Sequence, residues 1–192
     1  FNLVFALIYF AAAKLGLSLA TVNSSASPVW PATGLAIAIL VLGGQKMWHA
    51  IAIGAFAANF FTPSPLVTIL FITLGNTLEA LVGSYIFNKF SKKSPQFLEN
   101  QSVTVGIIAA SLIATSLSAS FGVLALIYSN SLVWAEAGNV WRTWWVGDLL
   151  GALVVAPLLI ALGTSSKSFK IPKVSLTQVF LIIVSIGTLY SI

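Results

Sequence analysis

The chain contains no cysteine, and few of its residues carry a charge. The absence of cysteine excludes disulfide bonds and thiolate chemistry. Only 7% of the 192 residues are charged, whereas a soluble domain averages about 25%. Because 58% of the residues are hydrophobic, a water-soluble core of this size cannot bury them all. The composition therefore indicates an integral membrane protein.

Side chains that bind metals or perform catalysis are scarce as well. One histidine and four carboxylates are scattered along the chain without metal-ligand spacing. No nucleophile–base pair or phosphate-binding loop is present. The net charge of +5 does not indicate nucleic-acid binding, because the lysines lie in short loops rather than in one basic stripe. We expect no metal, no cofactor, no nucleic-acid partner and no catalytic site in this chain.

Apolar runs dominate the sequence. A spanning helix needs about 20 mostly apolar residues, and such runs recur from end to end. We predict a seventh span near Leu176 and six spans before it, at residues 1–19, 31–42, 47–61, 66–87, 103–128 and 140–162. The predicted fold class is all-α, a polytopic bundle of about seven transmembrane helices in one domain over residues 1–192. Both ends are apolar, so we expect a fragment of a longer protein.

The lysines predict the orientation of these spans. Cytoplasmic loops collect Lys and Arg. Loops after odd-numbered spans hold neither residue, and one of them carries Glu136. The N-terminus is therefore predicted to be cytoplasmic. The lysines in loops after even-numbered spans are Lys46, Lys89, Lys92, Lys93, Lys167, Lys170 and Lys173.

The second predicted span is too short to cross a bilayer. Its 12 residues reach about 18 Å, against about 30 Å of hydrocarbon. Two alternatives stay open. Either the uncharged segment from Ser24 to Trp30 dips into the bundle, or it does not, in which case the bilayer thins or the helix continues past Gly43 and Gly44 to Trp48.

Polar side chains within spans are the candidate functional residues, because a charge at mid-membrane costs at least about 2.5 kcal/mol. Glu79 lies about 20 Å from the outer end of the fourth span, and Asn76 shares its helix face. This pair predicts either a proton or cation site, or a protonated carboxyl used for packing. The full set is Lys14, Asn59, Asn76, Glu79, Arg142 and Asp148.

Asp148 lies about 11 Å below Trp141 along the sixth span, which predicts a depth different from that of Glu79. Gly147 and Gly151 are four residues apart, a spacing that permits close helix packing. We predict an ion pair or a shared water network between Asp148 and Lys14. Pro157, further along the span, predicts a kink or hinge.

Tryptophans gather near the outer ends of the spans. An aromatic belt explains most of them. Trp30 stands between two prolines at a helix start, where free N–H groups favour anions. Together with Arg142 and Asn59, it predicts an outer pocket for a small anionic or aromatic ligand. Trp145 and Asp148 are further candidates for contact with that ligand.

Five segments resemble the first class of bacterial membrane-associated sensor domains. They are SPVWPATG at 27–34, GAFAAN at 54–59, LGNTLEA at 74–80, WWVGDLLG at 144–151 and VVAP at 154–157. The resemblance runs from about Phe10 to Leu162. It implies a membrane-embedded sensory module with about eight spans, joined to a cytoplasmic histidine kinase or a cyclic-di-GMP synthase or phosphodiesterase. It also singles out Trp30, Pro31, Gly34, Asn59, Asn76, Glu79, Trp145, Gly147, Asp148 and Gly151.

The favoured interpretation is therefore a signal-input domain in the inner membrane of a bacterium. It would sense a small ligand, a lipid or a membrane partner, and a homodimer is the default expectation. A small-molecule transporter is the alternative, since short spans interrupted by Gly and Pro are typical of transporters.

Overall fold

A computed structural model describes residues 2–20, 22–91 and 101–164. Throughout this part of the chain the regular structure is helical, which confirms the all-α prediction. A 3₁₀ turn at Gln45–Met47 precedes α3, and a π-helical turn at Gly151–Val155 joins α6 to α7. The helices are α1 (Asn2–Ser18), α2 (Pro31–Gly43), α3 (Trp48–Phe60), α4 (Leu66–Ser91), α5 (Gln101–Tyr128), α6 (Trp134–Leu150) and α7 (Ala156–Thr164).

In the described part of the chain, three helical stretches are long and apolar enough to cross a membrane: Leu66–Phe90, Thr104–Tyr128 and Trp134–Thr164. The helices Leu3–Ser18 and Pro31–Gly43 are apolar but shorter. The expectation of several membrane-crossing helices is supported, while the count of seven stays a prediction. The seventh span and the lysines Lys92, Lys93, Lys167, Lys170 and Lys173 lie outside the described residues.

The last described span begins earlier than its apolar pattern predicts. Its first helical residue is Trp134 rather than Val140, and Glu136 in the first turn suits the positive end of the helix dipole. Asp148 therefore lies 14 residues, or about 21 Å, from the start of its helix. Glu79 lies 13 residues, or about 20 Å, from the start of α4. The prediction that the two carboxyl groups lie at different depths is wrong.

The π-helical turn falls directly before Pro157. Proline has no N–H to donate, and its ring clashes with the carbonyl four residues earlier, here that of Leu153. A wider turn relieves this clash, and such turns recur at functional sites. The helix is therefore irregular over Gly151–Val155, while the kink or hinge at Pro157 stays a prediction.

Helix α2 occupies the centre of the bundle. It contacts α1, α4, α6, the π-helical turn and α7. Eight of its 13 residues are buried, mostly alanines and other small or branched side chains. At its C-terminal end Gly44 adopts a positive φ of 86°, a conformation that favours glycine. The helix therefore ends at Gly43 and does not continue to Trp48.

The segment before α2 enters the bundle as non-helical chain, with a turn at Asn23–Ala26. Ser25, Ala26, Ser27 and Trp30 are each at most 5% exposed. Near the start of this segment, Ser25 Oγ lies 3.4 Å from Ser64 Oγ in the loop before α4. Of the two alternatives for the short second span, the segment that dips into the bundle is the one found.

Candidate functional site

The polar centre of the bundle is a pair of carboxyl groups joined by one hydroxyl. Thr33 Oγ1, in the first turn of α2, lies 3.0 Å from Glu79 Oε2. The same oxygen lies 3.2 Å from Asp148 Oδ1. All three side chains are at most 1% exposed. The site therefore joins α2, α4 and α6 at one point, which we call the carboxyl pair (Glu79 and Asp148 with Thr33).

A second polar contact lies one turn away on α4. Ser118 Oγ, on α5, donates a hydrogen bond of 3.0 Å to Asn76 Oδ1. Both side chains are at most 2% exposed. Since most serines and threonines of α5 bond to their own helix, the Ser118 contact is a true link between α4 and α5.

Several buried polar atoms around this centre have no hydrogen-bond partner. They include one oxygen of each carboxyl group, Glu79 Oε1 and Asp148 Oδ2, and the amide nitrogen of Asn76. An unsatisfied buried polar group costs about 1–3 kcal/mol. Native proteins keep few of them, and each one calls for an explanation. These atoms are available to a further hydrogen-bond partner at the centre.

The two carboxyl groups are close enough for their charges to interact strongly. Glu79 Oε2 and Asp148 Oδ1 both lie within hydrogen-bond distance of Thr33 Oγ1. These two carboxyl oxygens are therefore no more than about 6 Å apart. Two full negative charges at that distance would repel by about 3 kcal/mol at an effective dielectric constant of 20. Placing both charges in a membrane interior would cost more.

The predicted ion pair between Lys14 and Asp148 does not form. The Lys14 ammonium instead lies 5.9 Å from the centre of the Phe61 ring, within cation–π range. Asp148 is fully buried, and its hydrogen bond is with Thr33. The ion-pair alternative is wrong because it placed Asp148 in the outer half of its span, whereas α6 carries it deeper; the shared water network stays a prediction.

Trp30 reaches the interior rather than an outer pocket. It is 5% exposed, and a Cβ on Gly16 of α1 would overlap its ring. The fully buried Tyr9 lies beside it, within electrostatic range of Glu79 and Asp148. The Trp30 indole N–H makes no hydrogen bond of normal geometry. Trp30 and Tyr9 thus close the α1 side of the centre.

The other members of the predicted outer pocket make their recorded contacts within their own helices. Arg142 is exposed and bonds to Asn139 and Gly138 on its own helix. Asn59 is buried but donates to Ala55 within α3. Trp145 stacks on Trp141, with ring centres 5.6 Å apart. These contacts give no common pocket.

The glycines hold the dipping segment against α6. A Cβ on Gly147 would overlap the carbonyl oxygen of Ser27, and one on Gly151 would overlap that of Trp30. A Cβ on Gly34 would overlap the carbonyl oxygen of Gly151. This close backbone packing brings the start of α2, and with it Thr33, to the level of Asp148.

Sequence reasoning missed Thr33, Ser118 and Tyr9. Serines and threonines in spanning helices usually bond to a carbonyl of the preceding turn, so they carry little signal alone. Thr33 differs, because it is the third residue of α2 and no helical turn precedes it. That position, right after a proline at a helix start, could have marked its hydroxyl as available.

The chemistry of the site is that of two neighbouring carboxyl groups. Across the described residues, no group of three or more His, Cys, Asp or Glu side chains could hold a metal ion. The arrangement can bind, hold or exchange a proton between two carboxyl groups, with Thr33 and Asn76 as neighbouring donors.

The fold and the buried carboxyl pair define the class of protein. It is a helical integral membrane protein with two carboxyl groups in its interior. The MASE1 family model matches residues 1–170. The chain therefore belongs to the MASE1 family of membrane-associated sensor domains, which confirms the resemblance seen in its motifs. No curated protein and no solved structure gives a significant match to the chain.

Proposed function

We propose that this chain is the signal-input domain of a bacterial signal-transduction protein in the cytoplasmic membrane. Membership of a family of membrane sensory domains supports the input role. The observation that carries the proposal is the carboxyl pair, because one threonine on the central helix holds groups from α4 and α6. A stimulus that changes the bonding there changes how three helices pack.

The path of the signal follows from the position of α2. A ligand, lipid or membrane partner shifts a two-state equilibrium only by its differential affinity for the two packings. Because α2 contacts α1, α4, α6 and α7, a small displacement at Thr33 is felt at both ends of the bundle. The continuous helix formed by α6, the π-helical turn and α7 transmits this displacement towards the C-terminal end of α7. We propose that a cytoplasmic histidine kinase or cyclic-di-GMP enzyme in the same polypeptide receives the signal there, as the resemblance to the family implies.

The proposal includes the number of spans, the membrane and the orientation of the chain. About seven spans cross the inner membrane, with eight in an intact domain, and the N-terminus is cytoplasmic. The described lysines Lys46 and Lys89 lie at a helix junction and near a helix end, as that orientation requires. A homodimer is proposed because many bacterial output domains act as dimers.

Activity of the attached output domain tests the input role. The full-length natural protein is reconstituted in lipid nanodiscs, and its kinase or cyclase activity is compared between wild type and Asp148→Asn. We expect a change of about fivefold or more, the low end of typical coupling. Glu136→Gln, an exposed carboxyl on the same helix, is the matched control. Equal output from all three proteins would remove the carboxyl pair from the signalling path.

A transporter is the second candidate, and one observation favours it. The non-helical segment and the start of α2 lie inside the bundle, and interrupted helices of this kind line substrate sites in transporters. Uptake of radiolabelled anions, amino acids and sugars into proteoliposomes distinguishes the two. Accumulation that Asp148→Asn abolishes would favour transport over sensing.

A further inference from the structure

We propose that Glu79 and Asp148 form a proton-binding site in which the two carboxyl groups share one proton. Thr33 donates its hydroxyl hydrogen to the carboxyl group that is ionised. Binding of a proton converts one carboxylate to a carboxylic acid and changes the charge of the pair from −2 to −1. The binding site stands on geometry alone, and only the step that makes the proton a stimulus rests on the proposed function.

The number of available hydrogens carries the inference. Both carboxyl groups lie within hydrogen-bond distance of the Thr33 hydroxyl, which has a single hydrogen to donate, and the nearby Ser118 hydroxyl gives its own hydrogen to Asn76 Oδ1. The remaining oxygens, Glu79 Oε1 and Asp148 Oδ2, are buried and accept no hydrogen bond. A proton on either carboxyl group supplies the second hydrogen that this arrangement lacks. Paired carboxyl groups at such separations commonly share a proton, because like charges a few ångströms apart resist joint ionisation.

Among the residues that the structure describes, the neighbouring elements supply no cation to neutralise the pair. In α1, Tyr9 faces it with a neutral phenol, and Lys14 lies against Phe61. The described parts of α2 and α7 contain no ionisable side chain. The remaining charged or titratable groups on the packed helices lie towards helix ends or on exposed faces: His49, Tyr85, Lys89, Tyr128, Glu136 and Arg142.

A metal ion fits the site less well than a proton does. A hard cation needs several oxygen ligands, whereas Asn76 uses its oxygen to accept from Ser118 and keeps its N–H₂ group unbonded. Within the described ranges, the carboxyl pair is joined by no third metal-binding side chain. The chemistry favours proton exchange between two acids over coordination.

Infrared spectroscopy of the unmodified protein tests the site directly. The chain has a single aspartate, Asp148. In the 192-residue chain, labelling with carboxyl-¹³C aspartate therefore shifts the bands of that residue alone. In nanodiscs we expect a carbonyl band of a protonated carboxylic acid at neutral pH, which disappears as the pH is raised. Part of this band should shift on aspartate labelling or change in Glu79→Gln.

Matched variants define the results that count against the proposal. Glu136→Gln should leave the band unchanged, since Glu136 is exposed. The proposal is overturned if folded wild-type protein shows no protonated carboxyl band at any pH. It is equally overturned if the band responds to neither aspartate labelling nor Glu79→Gln. Because the labelled protein carries no substitution, this test stands even if the variants fail to fold.

Thr33 offers a further check on the geometry. Thr33→Val removes the shared donor, which stabilises an ionised carboxylate, so the midpoint at which the band disappears should move to higher pH. A hydrogen bond to a charged group corresponds to a shift of roughly one to two pH units. Thr33→Ser keeps the hydroxyl and should restore the wild-type midpoint. Equal midpoints in Val and Ser variants would contradict the shared-donor arrangement.

Ion replacement and output activity separate the proton site from its signalling role. Exchanging sodium for potassium or a bulky organic cation at constant pH should leave the band unchanged. A dependence on sodium would replace the proton site with a cation site. A proton-dependent band combined with output activity that ignores pH would support the binding site and overturn the signalling role.

Discussion

At the scale of single residues, glycine determines whether the site can assemble. Gly147 and Gly151 sit beneath backbone carbonyl oxygens of the dipping segment, with no space for a side chain. A carbonyl of the main chain cannot rotate away as a flexible side chain can. The contact between α6 and this segment is therefore rigid, and it places Asp148 within reach of Thr33.

Gly147→Ala should destabilise the protein by about 1–3 kcal/mol, because the added Cβ overlaps the Ser27 carbonyl oxygen. Gly138→Ala, on the same helix, is the control. No atom lies within 4 Å of the Cβ position at Gly138, and alanine is the better helix former by up to about 1 kcal/mol. Thermal unfolding in nanodiscs should therefore show a lower Tm for the first variant and an unchanged or higher Tm for the second. An equal decrease in Tm for both variants would mean that Gly147 does not contact the backbone of Ser27.

The sequence predicts some of these residues better than others. The cost of burying charge identified Glu79 and Asp148 as interior groups, and the glycine spacing indicated close packing. The arguments could not determine which helices face one another, because periodicity describes one helix at a time. Lys14 was therefore paired with the wrong partner. Thr33 was missed, since a threonine hydroxyl costs little to bury when its own helix can satisfy it.

At the scale of secondary-structure elements, the non-helical segment before α2 is the unusual feature. Its backbone cannot satisfy its own hydrogen bonds, so it is tolerated inside a membrane protein only where protein surrounds it. Ser27 meets part of this need locally, donating to Val29 O and accepting from Val29 N. The length of the apolar run at residues 31–42 does not distinguish a segment that dips into the bundle from a helix that continues past Gly44. Close packing against α6 stabilises the dip, and no sequence pattern reports that contact.

Cysteine accessibility tests the position of this segment, and the parent chain contributes no cysteine background. Ala26 is fully buried and Val22 is 54% exposed. Ala26→Cys should resist a water-soluble maleimide in the folded protein and react fully after denaturation in detergent. Val22→Cys should react in both states. Rapid labelling of folded Ala26→Cys, at the rate of Val22→Cys, would place the segment outside the bundle.

At the scale of the whole molecule, the carboxyl pair lies near the middle of the bundle. The continuous helix from Trp134 to Thr164 has 31 residues, about 45 Å at helical rise, and Asp148 stands 14 residues from its start. At the other end, Gly163 packs against Leu42 of α2. The end of α2 and the end of α7 therefore share one face of the bundle, opposite the start of α6.

This arrangement makes the sidedness of two positions a test of the whole topology. Lys46 follows α2 and Ala135 lies in the first turn of α6, and both are exposed. If lysine-bearing junctions are cytoplasmic, Ala135→Cys should react with an impermeant maleimide on intact spheroplasts. Lys46→Cys should react only in inverted vesicles. Labelling of both from one side would contradict the membrane-crossing order of α2 to α6, and the central depth of the carboxyl pair would lose its basis.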